Sequence, residues 1–384
     1  MQTAAGIMRG FAVRTGLGSA EIQPTRYLWT DAFAVCNFLG LHEEEGDSEA
    51  LHQALLLIDE THRVLGRHRP DDSRSGWISG LDEEKARDHP TVGGLRIGKD
   101  RPERSASEPY DPSLEWDRDG QYFHYLTKWV HALGCASRVT GDSRYRRWAV
   151  ELARTAFARF SVFDSTGLPI SLRWKMSIDL RRALVPSMGQ HDPLDGLVTF
   201  GSLNRGQHGS SADEALDLRH EIGDLARICR GRDWSTEDTL GIGGLLIDAY
   251  GLVKLMDDGM LDEPELLEAL LADSLTGLQV VVRQRQLERP ASQRLPFREF
   301  GLAIGLRAAG RLHARSGGAC TGQREGGTLR DMAESLVRYS ELASMIEDFW
   351  NQPDNRRCAN WTDHREINEV MWATALAPHG YLET

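Results

Sequence analysis

The feature that most constrains the fold is a repeated alternation between two kinds of helical stretch. Six stretches are apolar on nearly all sides, at residues 27–41, 121–134, 192–203, 236–255, 296–312 and 365–382. Amphipathic stretches follow the first five of them, at residues 46–68, 141–160, 213–229, 264–284 and 328–350. A helix that is apolar all round must be buried, whereas an amphipathic helix covers it with one face. We therefore predict successive helical hairpins, each with an inner and an outer helix.

Hairpins that alternate in this way close naturally into a ring of inner helices within a ring of outer ones. The sequence therefore predicts an all-α fold, an (α/α)6 toroid that forms a single domain over residues 1–384. A helical bundle or an open solenoid uses the same hairpins, but the irregular, Trp-rich loops between them favour the closed ring. The second hairpin turn, Gly141-Asp142-Ser143, predicts Asp142 as the N-cap of the outer helix that follows it.

Two insertions interrupt the pattern, at residues 67–118 and 161–191. Both are too long for simple connections, and connections of this length are usually functional. The apolar residues Trp77, Ile78, Leu95 and Ile97 in the first insertion indicate an ordered segment, which we predict to include a small β-hairpin. Each insertion directly precedes an inner helix, so we expect both to cover the same mouth of the ring.

Composition excludes several classes of function. The net charge of the 384-residue chain is −12, and its basic residues are scattered, which disfavours nucleic acid or an anionic membrane as a partner. The N-terminus lacks a signal-peptide pattern and no apolar run reaches about 18 residues, so we expect a cytoplasmic protein. The sequence does not indicate an oligomeric state.

The cysteine pattern and the known cofactor motifs give no sign of a bound group. The five cysteines are widely separated and predict neither disulfides nor zinc, so Cys36 and Cys135 are expected to be reduced core thiols. Motifs for phosphate, dinucleotide or HExxH-type metal binding are missing from the sequence, so we predict no cofactor and no metal.

Tryptophans and carboxylates concentrate where the inner helices begin, which is typical of a carbohydrate site, because aromatic faces stack on sugars and carboxylates bind hydroxyls or transfer protons. The predicted catalytic residues are Asp119, Asp192, Asp195, His191 and His364. The predicted substrate-binding residues are Trp29, Asp31, Trp116, Asp117, Gln121, Tyr122, His124, Trp174, Lys175, Gln190, Trp234, Glu299, Trp361 and Glu366.

Simpler roles compete with these predictions. Helix capping is a sufficient reason for Asp31, Asp119 and Asp192, which all lie near helix starts. An ion pair with Arg118 would explain Asp117 and Asp119, and His124 on an inner helix would also suit the core. The segment Gln190–Gly196 holds one His and two Asp around a proline turn, which fits either a structural turn or catalysis.

The hairpin pattern also resembles a known group of proteins. With Trp29-Thr30-Asp31 opening the first inner helix and Thr140–Tyr145 opening an outer one, the chain is similar to the six-hairpin glycosidase superfamily. That group includes unsaturated uronyl hydrolases and inverting glycosidases, and the N-acylglucosamine 2-epimerases have a similar barrel. The resemblance covers most of the chain at the level of fold, and no family's catalytic residues are transferred from it.

Three functions remain open. The first is a glycoside hydrolase acting on a small or oligomeric sugar, in which Asp119 pairs with Asp192 or Asp195, one carboxylic acid protonating the leaving oxygen and the other carboxylate activating water. The second is a sugar epimerase or isomerase of the N-acylglucosamine 2-epimerase type, in which His124, His191 or His364 moves a proton. The third is a helical-repeat binding protein without catalysis, which the polar and aromatic helix starts disfavour.

Overall fold

The computed structural model of the chain describes residues 2–19, 25–205, 216–316 and 326–383. The prediction of an all-α fold built from helical hairpins is confirmed, since helices dominate these residues and their strands form only two small sheets. The described chain divides into two compact units, and the single domain over residues 1–384 stays a prediction. The helices are α1 (Ala4–Arg14), α2 (Leu28–Glu45), α3 (Ser48–Leu65), α4 (Glu83–Asp88), α5 (Pro112–Glu115), α6 (Phe123–Thr140), α7 (Ser143–Phe160), α8 (Asp192–Leu203), α9 (Arg219–Cys229), α10 (Thr239–Asp257), α11 (Pro264–Arg283), α12 (Pro296–Ser316), α13 (Gly326–Val337), α14 (Glu341–Asn351), α15 (Ala359–Thr362), α16 (Arg365–Leu376) and α17 (His379–Leu382).

The N-terminal unit comprises Ala12–Ile228 and contains the first three inner helices, α2, α6 and α8. Helix α6 packs against both α2 and α8, while the outer helices α3 and α7 pack against α2 and α6. The third hairpin also has its outer helix, because Leu225 of α9 lies against Gly196 of α8. Part of the predicted outer stretch, residues 213–215, lies outside the described residues.

The C-terminal unit comprises Cys229–Glu383 together with Met1–Phe11. Its inner helices are α10, α12 and α16, and α12 packs against both of the others. Gly243 of α10 lies so close to the backbone of Gly301 in α12 that a side chain at position 243 would collide with it. The outer stretch at 328–350 is not one helix, because a turn at residues 338–340 separates α13 from α14.

The Gly-Asp pairs of the first two hairpins explain their tight turns. Gly46 and Gly141 end α2 and α6 with φ of 69°, a left-handed conformation that favours glycine. Asp47 then accepts hydrogen bonds from the backbone N–H groups of two residues in the first turn of α3. Asp142 accepts one from Arg144 at 2.9 Å, so the predicted cap of α7 is confirmed.

One strand follows the first insertion, and the other four lie within the second. They are β1 (Gln121–Tyr122), β2 (Ser161–Phe163), β3 (Pro169–Leu172), β4 (Lys175–Met176) and β5 (Ala183–Val185). β2 and β3 form an antiparallel hairpin, and β4 pairs with β1 on one side and with β5 on the other. The hairpin predicted in residues 67–118 therefore lies in the second insertion, while the first has α4, α5 and two isolated bridges.

Among the residues that the structure describes, one helix, α10, is long and apolar enough to span a membrane by length and composition. Two thirds of this stretch, 67%, is buried inside the protein, as expected for an inner helix that its hairpin partners surround.

Candidate functional site

The starts of the inner helices of the N-terminal unit meet in an aromatic cluster, which we define as Tyr27, Trp29, Tyr122, His124, Tyr125 and Trp174. The ring centroids of Tyr122 and His124 are 5.3 Å apart and stacked, and the indole of Trp29 meets the imidazole of His124 edge-on at 5.9 Å. The hydroxyls of Tyr27 and Tyr125 share a hydrogen bond of 2.8 Å. The structure thus brings together Trp29, Tyr122 and His124, all three of which the sequence predicts to bind substrate.

The second insertion extends this cluster toward the surface. The ring of Trp174 lies 5.5 Å from that of Tyr122 and 4.8 Å from that of Trp116. The side chain of Trp116 is 53% exposed, which is unusual for so large an apolar residue. An aromatic surface therefore leads from solvent at Trp116 to the start of α6.

Asp192 adjoins the cluster as the first residue of α8, and its carboxyl group is almost completely buried. Its Oδ1 lies 3.5 Å from Nδ1 of His124. Capping does not explain Asp192, because the N-cap position belongs to His191, whose side chain makes no cap hydrogen bond. Gly189 lies directly against the carboxyl group, in the space that a side chain at position 189 would need.

Burial makes Asp192 a weak acid. Burial, with a smaller contribution from the nearby charge of Asp195, raises the pKa of Asp192 from 3.8 to about 8. A helix N-terminus opposes this by favouring the ionised form, but only by about 0.3–1 kcal/mol, which is less than one pKa unit. Burial therefore dominates, and Asp192 holds its proton at neutral pH.

The other groups around Asp192 are fixed or neutral. Asp195 lies one turn along α8, where Lys128 of α6 donates to its Oδ1 at 2.6 Å and Thr127 donates to its Oδ2. Burial lowers the pKa of His124 from 6.5 to about 4, so its imidazole is neutral at pH 7. Asp192 and His124 together form a neutral pair beside a fixed ion pair.

Three polar atoms of this region have no hydrogen-bond partner among the described residues. They are Oδ2 of Asp192, Nδ1 of His124 and Nε1 of Trp29, all of them buried. An unpaired buried polar group costs about 1–3 kcal/mol, so natural proteins rarely keep several together without a water or ligand to bind them. Their grouping beside aromatic rings indicates a ligand site with both donors and an acid.

Asp119 does not belong to this group, and its role as a catalytic residue stays a prediction. Its carboxylate is fully buried, and Arg96 donates to its Oδ2 at 2.6 Å. The backbone N–H groups of Gly98 and Gly120 both donate to its Oδ1 at 3.0 Å. Asp119 therefore fixes the end of the first insertion, and its oxygens are already occupied.

Asp31, Gln121 and Lys175 are also buried with their polar atoms paired, and their substrate contacts stay predictions. Asp31 accepts from the backbone N–H of Tyr27 and pairs with Arg26, although burial raises its pKa to about 6. The amide of Gln121 bonds to three backbone groups. The ammonium of Lys175 donates to two backbone oxygens in residues 115–118, and burial lowers its pKa.

Three predicted residues of the N-terminal unit lie nearer the surface. His191 directly precedes Asp192 and is partly buried, whereas Gln190 and Asp117 are exposed. They flank the aromatic cluster in sequence, and their substrate contacts stay predictions.

The predicted residues of the C-terminal unit are mostly core or surface residues. Trp234 is fully buried, and Trp361 is almost so, stacked on Trp350 at 5.7 Å between ring centroids. Arg294 donates to both oxygens of the buried Glu299 at 2.8 and 2.7 Å. The substrate contacts of these three residues stay predictions.

His364 and Glu366 stand at the start of α16 and are exposed. The ring of His364 meets that of Phe297 edge-on at 6.4 Å. Also in this unit, a cavity of about 250 Å³ is lined by Asp238, Arg298 and Glu299, among others, and Arg298 forms an ion pair with Asp238.

The prediction from sequence missed Thr127 and Lys128, the partners of Asp195. A signal for Lys128 was available, because it lies four residues after His124 and therefore on the same face of α6. Thr127 resembles any other small residue of an inner helix, and only its contact with α8 gives it a role.

Comparison with known proteins yields likenesses of fold and none of sequence. No protein-family model matches the chain, and no curated protein matches its sequence. The cellobiose 2-epimerase from Spirochaeta thermophila has 13% identity and a TM-score of 0.49, with 91% of this chain and 86% of that chain covered.

Two other solved structures are similar over nearly the whole chain. The GH76 alpha-mannanase from Bacteroides thetaiotaomicron has 10% identity and a TM-score of 0.49, with 100% of this chain and 98% of that chain covered. An unsaturated glucuronyl hydrolase specific for heparin has 13% identity and a TM-score of 0.49, with 99% and 95% covered.

Proposed function

We propose that this chain is a carbohydrate-active enzyme, a glycoside hydrolase in which Asp192 is the general acid. The observation that carries this proposal is a buried carboxyl group with an unpaired oxygen beside aromatic rings, and burial raises its pKa to about 8. A general acid works best when its pKa lies near the working pH, and burial is the usual means of raising the pKa of a carboxyl group.

The aromatic surface supports a sugar as the substrate. The rings of Trp174 and Trp116 offer apolar faces for the C–H face of a pyranose, and the Nε1–H of Trp29 offers a donor for a hydroxyl. We propose a small or oligomeric sugar as substrate, with Trp116 nearest to solvent.

In the proposed reaction, Asp192 donates its proton to the glycosidic oxygen as the bond from that oxygen to the anomeric carbon breaks. Water supplies the hydroxyl group to the anomeric carbon, and its remaining proton restores the acid. Asp195 acts as a positioning residue, because Lys128 and Thr127 occupy its oxygens while its charge helps to keep Asp192 protonated.

Epimerisation is the second candidate, and one observation favours it. His124 is neutral at pH 7 with an unpaired Nδ1, and it faces the protonated Asp192 at 3.5 Å. A neutral imidazole next to a carboxylic acid is a suitable base and acid for moving a proton beside a sugar carbonyl. In this reaction His124 would move the proton, which makes it the candidate among His124, His191 and His364.

The test is a substrate panel on the wild type, Asp192→Asn and a matched control, Asp142→Asn. Asparagine is a good helix cap, so the control changes one Asp in the same unit without affecting the site. We expect wild type and control to release reducing sugar from glycosides, and Asp192→Asn to release almost none.

Deuterium uptake from solvent into free monosaccharides separates the two candidates. Uptake that is lost in His124→Gln, with no hydrolysis by the wild type, would replace the hydrolase proposal by the epimerase one. Hydrolysis that survives in Asp192→Asn would remove Asp192 from the reaction.

A further inference from the structure

A cluster of sulfur and nitrogen atoms lies between α2 and α6, further along α6 than the aromatic cluster. Cys36 of α2 and Cys135 of α6 are both fully buried, with their sulfur atoms 3.8 Å apart. His131 precedes Cys135 by four residues and therefore lies on the same face of α6. One ligand atom from each of the three residues lies within 4.8 Å of the other two.

The sulfur separation matches metal coordination better than a disulfide. Two thiolates bound to one tetrahedral zinc ion at about 2.3 Å each lie about 3.8 Å apart. A disulfide would need the same two atoms at about 2.05 Å. Thiolate and imidazole ligands together select soft or borderline cations and disfavour magnesium and calcium.

We propose that Cys36, His131 and Cys135 bind a zinc ion. Three protein ligands leave a fourth position of the tetrahedron for water or a small ligand. A cavity of about 400 Å³ supports this, because His131 lines it together with Val130, Gly134 and Ser137. The cavity gives a metal ion a route to the imidazole, which a buried site needs.

The electrostatics of the cluster suit a divalent cation. Zinc would replace the protons of both thiols, which pass to solvent, and the two thiolates then balance the two positive charges of the ion.

The test uses the full-length protein, stripped with a chelator and dialysed against a low concentration of zinc. We expect one zinc ion per chain in the wild type by metal analysis, and background levels in Cys36→Ser and in Cys135→Ser. Cys229→Ser is the matched control, because Cys229 is equally buried but is not one of the three proposed ligands, and it should keep the zinc. Cobalt in place of zinc should give thiolate-to-metal charge-transfer absorbance in the wild type and the control only.

A folding defect in the cysteine variants does not block the test. His131→Gln changes a partly buried residue beside the cavity, so it should fold as the wild type does by circular dichroism and yet lose the cobalt absorbance. Zinc bound equally by the wild type and all three variants would overturn the proposal by placing the metal on other residues. A Cys36–Cys135 disulfide in the isolated protein, or a wild type that binds no zinc, would also overturn it.

Discussion

The two units have similar residues at the starts of their inner helices, but the hydrogen-bond partners of these residues differ. In the C-terminal unit, both oxygens of Glu299 accept from Arg294, and the indole of Trp350 donates to Oε2 at 2.8 Å. In the N-terminal unit, Oδ2 of Asp192 has no partner among the described residues, and neither has Nδ1 of the adjacent His124. Both carboxyl groups are buried near a tryptophan, and only the partners distinguish them.

This difference shows what separates a structural carboxylate from a reactive one. A carboxylate whose oxygens already accept charged hydrogen bonds stabilises the fold and has little left to offer a substrate. A carboxyl group that stays protonated and unpaired destabilises the fold slightly and is ready to donate. Four changes test the contrast.

The largest effect is expected from Asp192→Asn. Loss of a general acid lowers the rate about 100- to 10,000-fold, while the neutral amide replaces a carboxyl group that is itself neutral. Sugar release should fall by this factor in steady-state assays, with the melting temperature kept at or above that of the wild type. A melting temperature that falls along with activity would instead mark Asp192 as structural.

Glu299→Gln should have the opposite effect to Asp192→Asn, because it should lower the stability of the fold rather than the rate. It leaves the guanidinium of Arg294 buried without its counter-charge, so we expect the free energy of unfolding to fall by about 3–5 kcal/mol. Urea unfolding measures this change. Glu288→Gln serves as the control in the same unit, because its ion pair with Arg285 is exposed and should matter little. A stable Glu299→Gln with reduced turnover would overturn the contrast between the units.

The pH dependence of activity should report Asp192. Its protonated form is the active one, so the rate should fall about tenfold per pH unit as the pH rises above about 8. The stability of the fold should also depend on the protonation of Asp192. The folded state favours the protonated acid. The contribution of Asp192 to the free energy of unfolding is therefore complete below pH 3.8 and is lost as the pH rises towards 8.

Thermal melts of wild type and Asp192→Asn between pH 4 and 8 check the sign of this effect. The wild type should lose stability relative to the variant as the pH rises. Equal slopes would mean that the carboxyl group has an ordinary pKa.

The smallest effect is expected from Trp29→Phe, which keeps a ring in the cluster and removes only the unpaired N–H. A single hydrogen bond to a ligand is worth about 0.5–1.5 kcal/mol, so KM should rise about 2- to 13-fold with kcat nearly constant. Trp234→Phe is the matched control, because Trp234 is buried in the other unit, and its KM should equal that of the wild type.

Much of the fold could be predicted because hydrophobic periodicity is local. The six inner helices, the amphipathic helices α3, α7, α9 and α11, and the cap at Asp142 follow from patterns within about 20 residues. The break between α13 and α14 and the position of the β-hairpin did not follow, because both depend on packing rather than on periodicity.

The site was predicted in part for the same reason. Residue type and helix position identified Trp29, His124 and Asp192 as candidates. They could not separate these from Asp119 or Lys175, whose roles depend on contacts with Arg96 and with residues 115–118. Likewise, Cys36 and Cys135 are 99 positions apart, so their proximity appears only once α2 packs against α6.

Gly189 sets a limit on how the loop before α8 can vary. Its hydrogen occupies the space in which any larger side chain would push the carboxyl group of Asp192 aside. Because the backbone there is not left-handed, Gly189→Ala is compatible with folding while still displacing the acid. A single methyl group at position 189 would therefore move the proton donor without removing it. The variant would show how much of the activity depends on where the carboxyl group of Asp192 lies.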